Sequence, residues 1–329
     1  MGLIRIVCTV PPLARYVSER LTLGLSILAV VSLVVFFFTQ ALPGDVARQV
    51  LGQTATDRQV AMMRARLGLD HSVTRQYLDW MGGLFRLDFG TSLTSRASVA
   101  ALIRPRLANS ALLVSMTAAI LLPLALIFGV LAARRPGGFI DVGVSAAVLV
   151  ILALPEFVIA VLVVVVFATN MWRVFPPTSI IDPYRPLWRQ LQFFAMPVLA
   201  LVLGSLPYST ESLRAAIGHE LNQEHILWAR LSGLSEARIL LRHAVPNALA
   251  PTLQVAGTTL IYLIGGIVAV ENVFAFPGIG SALTQAVANR DIPVVQAISM
   301  LMAAIALAIY LAADLLGVLL TPRLRTSLS

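Results

Sequence analysis

Apolar residues gather into six long blocks, at 21–42, 109–133, 142–169, 191–212, 248–270 and 294–320, separated by Arg-bearing or Pro/Gly-rich stretches. A hydrocarbon core of about 30 Å takes roughly 20 helical residues, so every block is long enough to cross. In lipid the backbone must satisfy its own hydrogen bonds, and unbroken apolar runs of this length predict helices. Between the first two blocks, 43–108 has a different texture. Thr56 with Gln59 reads as a capping box, Val60, Met63 and Leu67 follow at i, i+3 and i+7, and Gly68 stops the run. Val73, Tyr77, Met81 and Leu84 share one face of a second helix. The pattern predicts an all-α membrane protein of six transmembrane helices, with a small helical extracytoplasmic domain between helices 1 and 2.

Arginine placement sets the orientation. With 1–20 in the cytoplasm, the inside segments carry Arg5, Arg15, Arg20, Arg134, Arg135, Arg214, Arg230, Arg238, Arg242, Arg323 and Arg325. The two short outside loops carry only Arg173, Arg185, Arg189 and Arg290. That excess predicts an N-in, C-in protein with 321–329 also inside and 271–293 outside. The nine Arg of 43–106 do not oppose it, because long loops cross largely regardless of charge. The first block ends in Gln40-Ala41-Leu42-Pro43 without a small-x-small cleavage site, so it reads as an uncleaved span.

Composition narrows the chemistry. Of 329 residues, 58% are hydrophobic and 12% charged, against about 25% charged in a soluble domain. All 24 basic residues are Arg. Without Lys the chain cannot form a P-loop or a Schiff base. The lone Cys8 permits no internal disulfide, and His71, His219, His225 and His243 have no metal-ligand spacing, so no metal or other cofactor is expected on this chain. The net charge of +8 would point a soluble protein toward nucleic acid, but here it reflects membrane sidedness.

The cytoplasmic stretch 213–247 is polar and helical on both sides of Gly233. Leu227, Leu231 and Leu234 recur at i, i+4 and i+7, Gly233 ends one helix and Ser235 is placed to N-cap the next. A helix-turn-helix tethered at both ends close to the bilayer is badly placed to enter a DNA groove, so docking of a cytoplasmic partner is the better reading. The alternative for Arg230 and Arg238 is contact with lipid headgroups. Two acids lie inside apolar blocks, and intramembrane carboxylates are functional candidates. Glu156 follows the helix-kinking Pro155 and is a candidate for the translocation pathway or its gate, against a structural hydrogen bond to a neighbouring span. For Asp314 the structural bond is preferred, and Glu211 is expected at the interface. Phe276-Pro277-Gly278-Ile279-Gly280 cannot continue a helix, so it reads as an outside turn leading into a short helix from Ser281. Pro277 and Gly278 of that turn are candidates for closing an outer gate or touching an extracytoplasmic protein, with a plain structural turn as the equal alternative, and the charged Arg290 and Asp291 are candidates for docking that protein.

Ala229-Arg230-Leu231-Ser232-Gly233, nine residues, then His243-Ala244-Val245-Pro246 resembles the "EAA" loop of binding-protein-dependent ABC importer permeases, and in detail the version found in dipeptide, oligopeptide and nickel permeases. Further blocks agree: Leu42-Pro43-Gly44-Asp45 with Arg64-Ala65-Arg66-Leu67-Gly68-Leu69-Asp70, Val273-Phe274-Ala275-Phe276-Pro277-Gly278-Ile279-Gly280 with Asn289-Arg290-Asp291-Ile292-Pro293, and Asp314 with Pro322-Arg323. The chain departs from the loop consensus at Leu227 and Trp228, and Thr321 stands where an Asp is expected. The resemblance implies a type I ABC importer permease fold in the bacterial inner membrane. It implies a second homologous permease, two cytoplasmic ATPase subunits that carry ATP and Mg, and a solute-binding protein outside. It makes Ala229, Arg230, Gly233, Leu234, Arg238, His243 and Pro246 the ATPase-coupling set. Peptides or similar small polar solutes would pass by alternating access. The competing class is a stand-alone secondary transporter or channel using Glu156 and Asp314 as ion sites. An intramembrane hydrolase is disfavoured, because every His lies outside the spans or at their edges.

Overall fold

The computed structural model describes residues 12–41, 46–51, 54–66, 68–169, 172, 174–182, 185 and 187–320. Arg5, Cys8, the Leu42-Pro43-Gly44-Asp45 block, Leu67, Arg173, Thr321, Pro322, Arg323 and Arg325 lie outside them. α1 (Pro12–Gln40) is 29 residues long, about 44 Å at 1.5 Å per residue. It runs antiparallel to the last helix, α14 (Ile292–Leu320). Arg20 meets Asp314 at one end, Gly24 lies against Leu307 midway, and Gln296 donates to Thr39 at 2.8 Å at the other. Leu23, Leu25 and Phe38 turn outward, as a lipid-facing stripe requires.

Three short helices follow: α2 (Val46–Leu51), α3 (Asp57–Arg66) and α4 (Val73–Phe85). The Gln59 carboxamide accepts from Thr56 N–H at 2.9 Å at the start of α3, and Gly68 takes φ +66° just beyond its end. Tyr77 on α4 bonds Ser32 of α1 at 2.8 Å, and Phe36 packs against Tyr77 and Trp80. Aromatic faces thus seat this small domain on the end of α1.

α5 (Val99–Ala133) begins ten residues before the apolar block at 109, because Val99 and Ile103 are buried against Ile279, Ala282, Val295 and Ile298. The block at 142–169 is two helices, α6 (Phe139–Leu152) and α7 (Glu156–Ala168), bent by 102°. Pro155 has no N–H and disfavours helix at the residue before it, and as the N-cap of α7 it takes ψ 145°. α8 (Leu191–Leu221) is the central helix, packed on α5, α6 and α7 and on α12 (Leu249–Val273). Its Phe194, Met196 and Leu201 join Leu113, Ala160, Leu263, Phe274 and Phe276 in the main core. α9 (Glu224–Leu231), α10 (Glu236–Ile239), a π-helical turn at Leu240–Ala244 and α11 (Val245–Asn247) link α8 to α12. α13 (Ile279–Ala288) precedes α14. Counting the bent pair as one, six segments among the described residues are long and apolar enough to span a membrane.

Candidate functional site

The α9–α10 hairpin turns at Gly233, which adopts φ +78°. Gly233 N–H donates to Arg230 O at 2.9 Å and Leu234 N–H to Ala229 O at 3.2 Å, closing α9 with a left-handed glycine. Inward, Ile226, Ile239, Leu240, Ala244 and Ala248 are buried with Ile217 of α8 and Ala133 of α5. The hairpin is therefore fixed to the ends of two long helices. Outward, Leu227, Trp228 and Leu231 are 56%, 68% and 70% exposed.

The sequence-read coupling set divides across these two faces. Ala229 and Leu234 pack on the inner cluster. Arg230, Gly233, Arg238 and Pro246 are exposed and His243 is partly so. Arg230 is held within the hairpin, with Nε and Nη2 donating to the two Glu236 oxygens at 2.9 and 3.2 Å. Leu227, which the sequence places in the apolar repeat with Leu231 and Leu234, and Trp228, read there only as a departure from a consensus, stand on the exposed apolar face. Just above, Arg214 Nε and Nη2 contact Asp141 at 2.6 and 3.1 Å and Nη1 contacts Glu211 at 2.7 Å, tying α6 to α8.

Glu156 opens α7, where an acid complements the positive end of the helix dipole. Its side chain enters a notch between α8 and α12 made by two glycines. A Cβ at Gly204 would sit 3.6 Å from Glu156 Cγ, and one at Gly266 would overlap the carboxylate. The Tyr262 phenol lies beside the Glu156 carboxyl, and its ring stacks on Tyr208 with centroids 6.2 Å apart and 15° between planes. Asp314, the other intramembrane candidate, accepts from Tyr16 OH at 2.8 Å and pairs with Arg20 Nε at 3.0 Å. These bonds make it a link between α1 and α14 rather than an open pathway group.

The 274–281 turn is organised by Glu271, which the sequence reading missed. Fully buried, its carboxylate accepts from Ser110 Oγ at 2.5 Å and from the Gly280 and Ser281 N–H groups at 2.7 and 3.0 Å. It caps the N-terminus of α13, and a Cβ at Gly278 would overlap it. Asn109 Nδ2 donates to Pro277 O at 2.9 Å, bringing α5 to the same turn. Of the four residues expected to dock an outside protein, Gly278 and Asp291 are buried and Pro277 and Arg290 are partly exposed. Asp291 accepts from Ser92 Oγ, from Leu93 N–H at 3.0 Å and from Thr94 N–H at 3.4 Å. Asp291 thereby joins the start of α14 to the loop before α5, and Gly278 packs against the Glu271 carboxylate. The available signal was an acid just ahead of a Pro-Gly turn and a new helix, whose first amides require an acceptor.

Residues 125–326 match the family described as "Binding-protein-dependent transport system inner membrane component", and residues 13–113 match its N-terminal companion. A probable peptide ABC transporter permease of Sinorhizobium fredii is 32% identical over 312 residues, covering 94% of this chain and 99% of that protein. The oligopeptide transport system permease AppB of Bacillus subtilis is 29% identical over 314 residues, covering 95% and 99%. Among solved structures, a chain of the MetNI methionine ABC transporter in an inward-facing conformation matches with TM-score 0.52 and 18% identity, over 67% of this chain and 96% of that one.

Proposed function

The chain belongs to the binding-protein-dependent transport system inner-membrane component family, and from that premise we propose that it is one permease of an ATP-driven importer for peptides or similar small polar solutes. It is a multi-pass inner-membrane protein with the type I importer permease fold. In this reading a second homologous permease completes the pathway, and two cytoplasmic ATPase subunits bind ATP and Mg and perform the hydrolysis. An extracytoplasmic binding protein delivers the solute. In the same reading the start of α1, the end of α14 and the α9–α10 hairpin face the cytoplasm, and α2–α4 and α13 lie outside.

The observation that carries the proposal is the hairpin. Leu227, Trp228 and Leu231 offer an apolar knob, while Ile226 and Ile239 seat it on α5 and α8. An ATPase groove that takes the knob, with Arg230, Gly233 and Arg238 at its edge, would move the hairpin as a rigid body. Packed interfaces pass such a push on as a discrete shift, which suits alternating access. A stand-alone ion-coupled carrier gains little support, since Asp314 already holds Arg20 and Tyr16.

The test is gentle extraction of the tagged chain from its host, with mass spectrometry of what accompanies it. Co-purification of a second permease and Lys-bearing P-loop subunits is the expected result. A chain that emerges alone and transports in vesicles without ATP would overturn the proposal.

A further inference from the structure

Every carboxylate on the long helices except one is answered by a basic side chain or by several hydrogen-bond donors of this chain. Glu19 pairs with Arg15, Asp141 and Glu211 hold Arg214, Glu220 pairs with His225, and Asp314 holds Arg20. Glu271 takes the α13 amides and Ser110. Glu156 is different. Among the described residues its only side-chain partner is the neutral Tyr262 phenol, and no Arg or His faces it.

Its position makes that absence consequential. Gly204 lies thirteen residues into the 31-residue α8, about 20 Å from the start of that helix at 1.5 Å per residue. Gly266 is likewise well inside α12. The carboxylate between them therefore sits deep in the spanning region, where an unpaired charge is costly unless it faces a water-filled cavity or a counter-charge. Glu156 is only partly buried, and Tyr208 and Tyr262, one turn nearer the hairpin on each helix, are 37% and 43% exposed. A carboxylate beside two stacked phenol rings is a receptor for an organic cation, since ring faces attract ammonium and guanidinium groups and the carboxylate supplies the opposite charge. Gly204 and Gly266 are the positions that leave the notch open.

We propose that Glu156, Tyr262 and Tyr208 form a subsite within the membrane for the ammonium or guanidinium group of the solute, such as the free N-terminal amine of a peptide or a basic side chain. The proposal rests on the importer reading for the passage of a solute, and it adds which end of that solute the pathway recognises.

Two measurements on the assembled importer in proteoliposomes test it. The chain has one cysteine, so Cys8→Ser with Tyr208→Cys places a single reporter thiol beside the site. Its modification rate by the cationic methanethiosulfonate ethyltrimethylammonium is compared with that by the anionic ethylsulfonate reagent, with Glu156 intact and with Glu156→Gln. Glu156 should raise the cation-over-anion preference at least tenfold. An unchanged ratio, or a thiol that neither reagent reaches, overturns the subsite. The second measurement is uptake of tri-alanine and of N-acetyl-tri-alanine. Glu156→Gln should raise KM about tenfold for the free amine and leave the acetylated probe unchanged, a factor of ten being about 1.4 kcal/mol. Equal losses for both probes would make Glu156 a structural group and refute the proposal. Wild-type vesicles that accumulate neither peptide with ATP would refute the peptide reading instead, and the modification ratio would still decide the subsite.

Discussion

Glu271→Ala removes one acceptor from three donors at once: Gly280 N–H at 2.7 Å, Ser281 N–H at 3.0 Å and Ser110 Oγ at 2.5 Å. A hydrogen bond to a charged group contributes about 1.5–3 kcal/mol, and a buried donor left without an acceptor costs about 1–3 kcal/mol. The three donors share one carboxylate and do not add in full, so about 4–6 kcal/mol is a fair range, large beside the roughly 5–15 kcal/mol of a whole domain. Two of the donors belong to α13, and the loss should concentrate there. Amide hydrogen exchange on peptides covering 279–288, in one detergent for variant and wild type, is the direct assay. Protection of α13 should fall at least a hundredfold in Glu271→Ala, equivalent to about 2.7 kcal/mol, with the α8 core around Phe194 to Val202 unchanged. Glu271→Gln keeps an oxygen for the amides and should lose about tenfold. Equal α13 protection in wild type and Glu271→Ala would refute the reasoning, leaving the apolar contacts of Ile279, Ala282 and Ala286 to hold the helix.

Three further substitutions probe other joints. Trp228→Ala truncates the side chain at the centre of the exposed apolar face, and a buried aromatic anchor contributes about 2 kcal/mol or more to an interface. ATPase subunits should then bind the permease about thirtyfold more weakly in pull-down titrations, and undiminished binding would remove the knob from the contact. Gly233→Val forces a β-branched residue into φ +78°, at a strain of about 1–2 kcal/mol. Uptake should drop while the permease stays in the membrane, and normal uptake would show that the hairpin turn is not needed for coupling. Asp314→Asn weakens the Arg20 and Tyr16 link between α1 and α14 by about 1–2 kcal/mol, which should lower the melting midpoint by about 2–6 °C. An unaltered melt with altered transport would return Asp314 to the pathway.

What the residue pattern discloses follows the range of the physics behind it. Lipid forces every long apolar run into helix, so six blocks are legible as six spans, yet their ends are not. α5 starts at Val99 and α8 runs to Leu221 because burial against α13 and the hairpin extends them, which hydropathy does not measure. Pro155 announces a break, but neither its 102° angle nor the notch that Gly204 and Gly266 give Glu156 from two other helices is written in the local sequence. In the hairpin Gly233 is legible and the partition of apolar residues is not. Ile226 and Leu227 are adjacent, and only the position of Ile217 and Ala133 decides that the first is buried and the second exposed. Glu271 and Asp291 are the extreme case, since their partners Ser110 and Ser92 lie 161 and 199 residues away in the chain. A polar residue beside a Pro-Gly turn looks like surface until its donors arrive from another helix. Glu156 stands apart in another way: the other carboxylates of the long helices are matched by basic side chains or by several donors, and among the described residues this one meets the Tyr262 phenol alone, with the counter-charge of the proposed subsite to come from the solute.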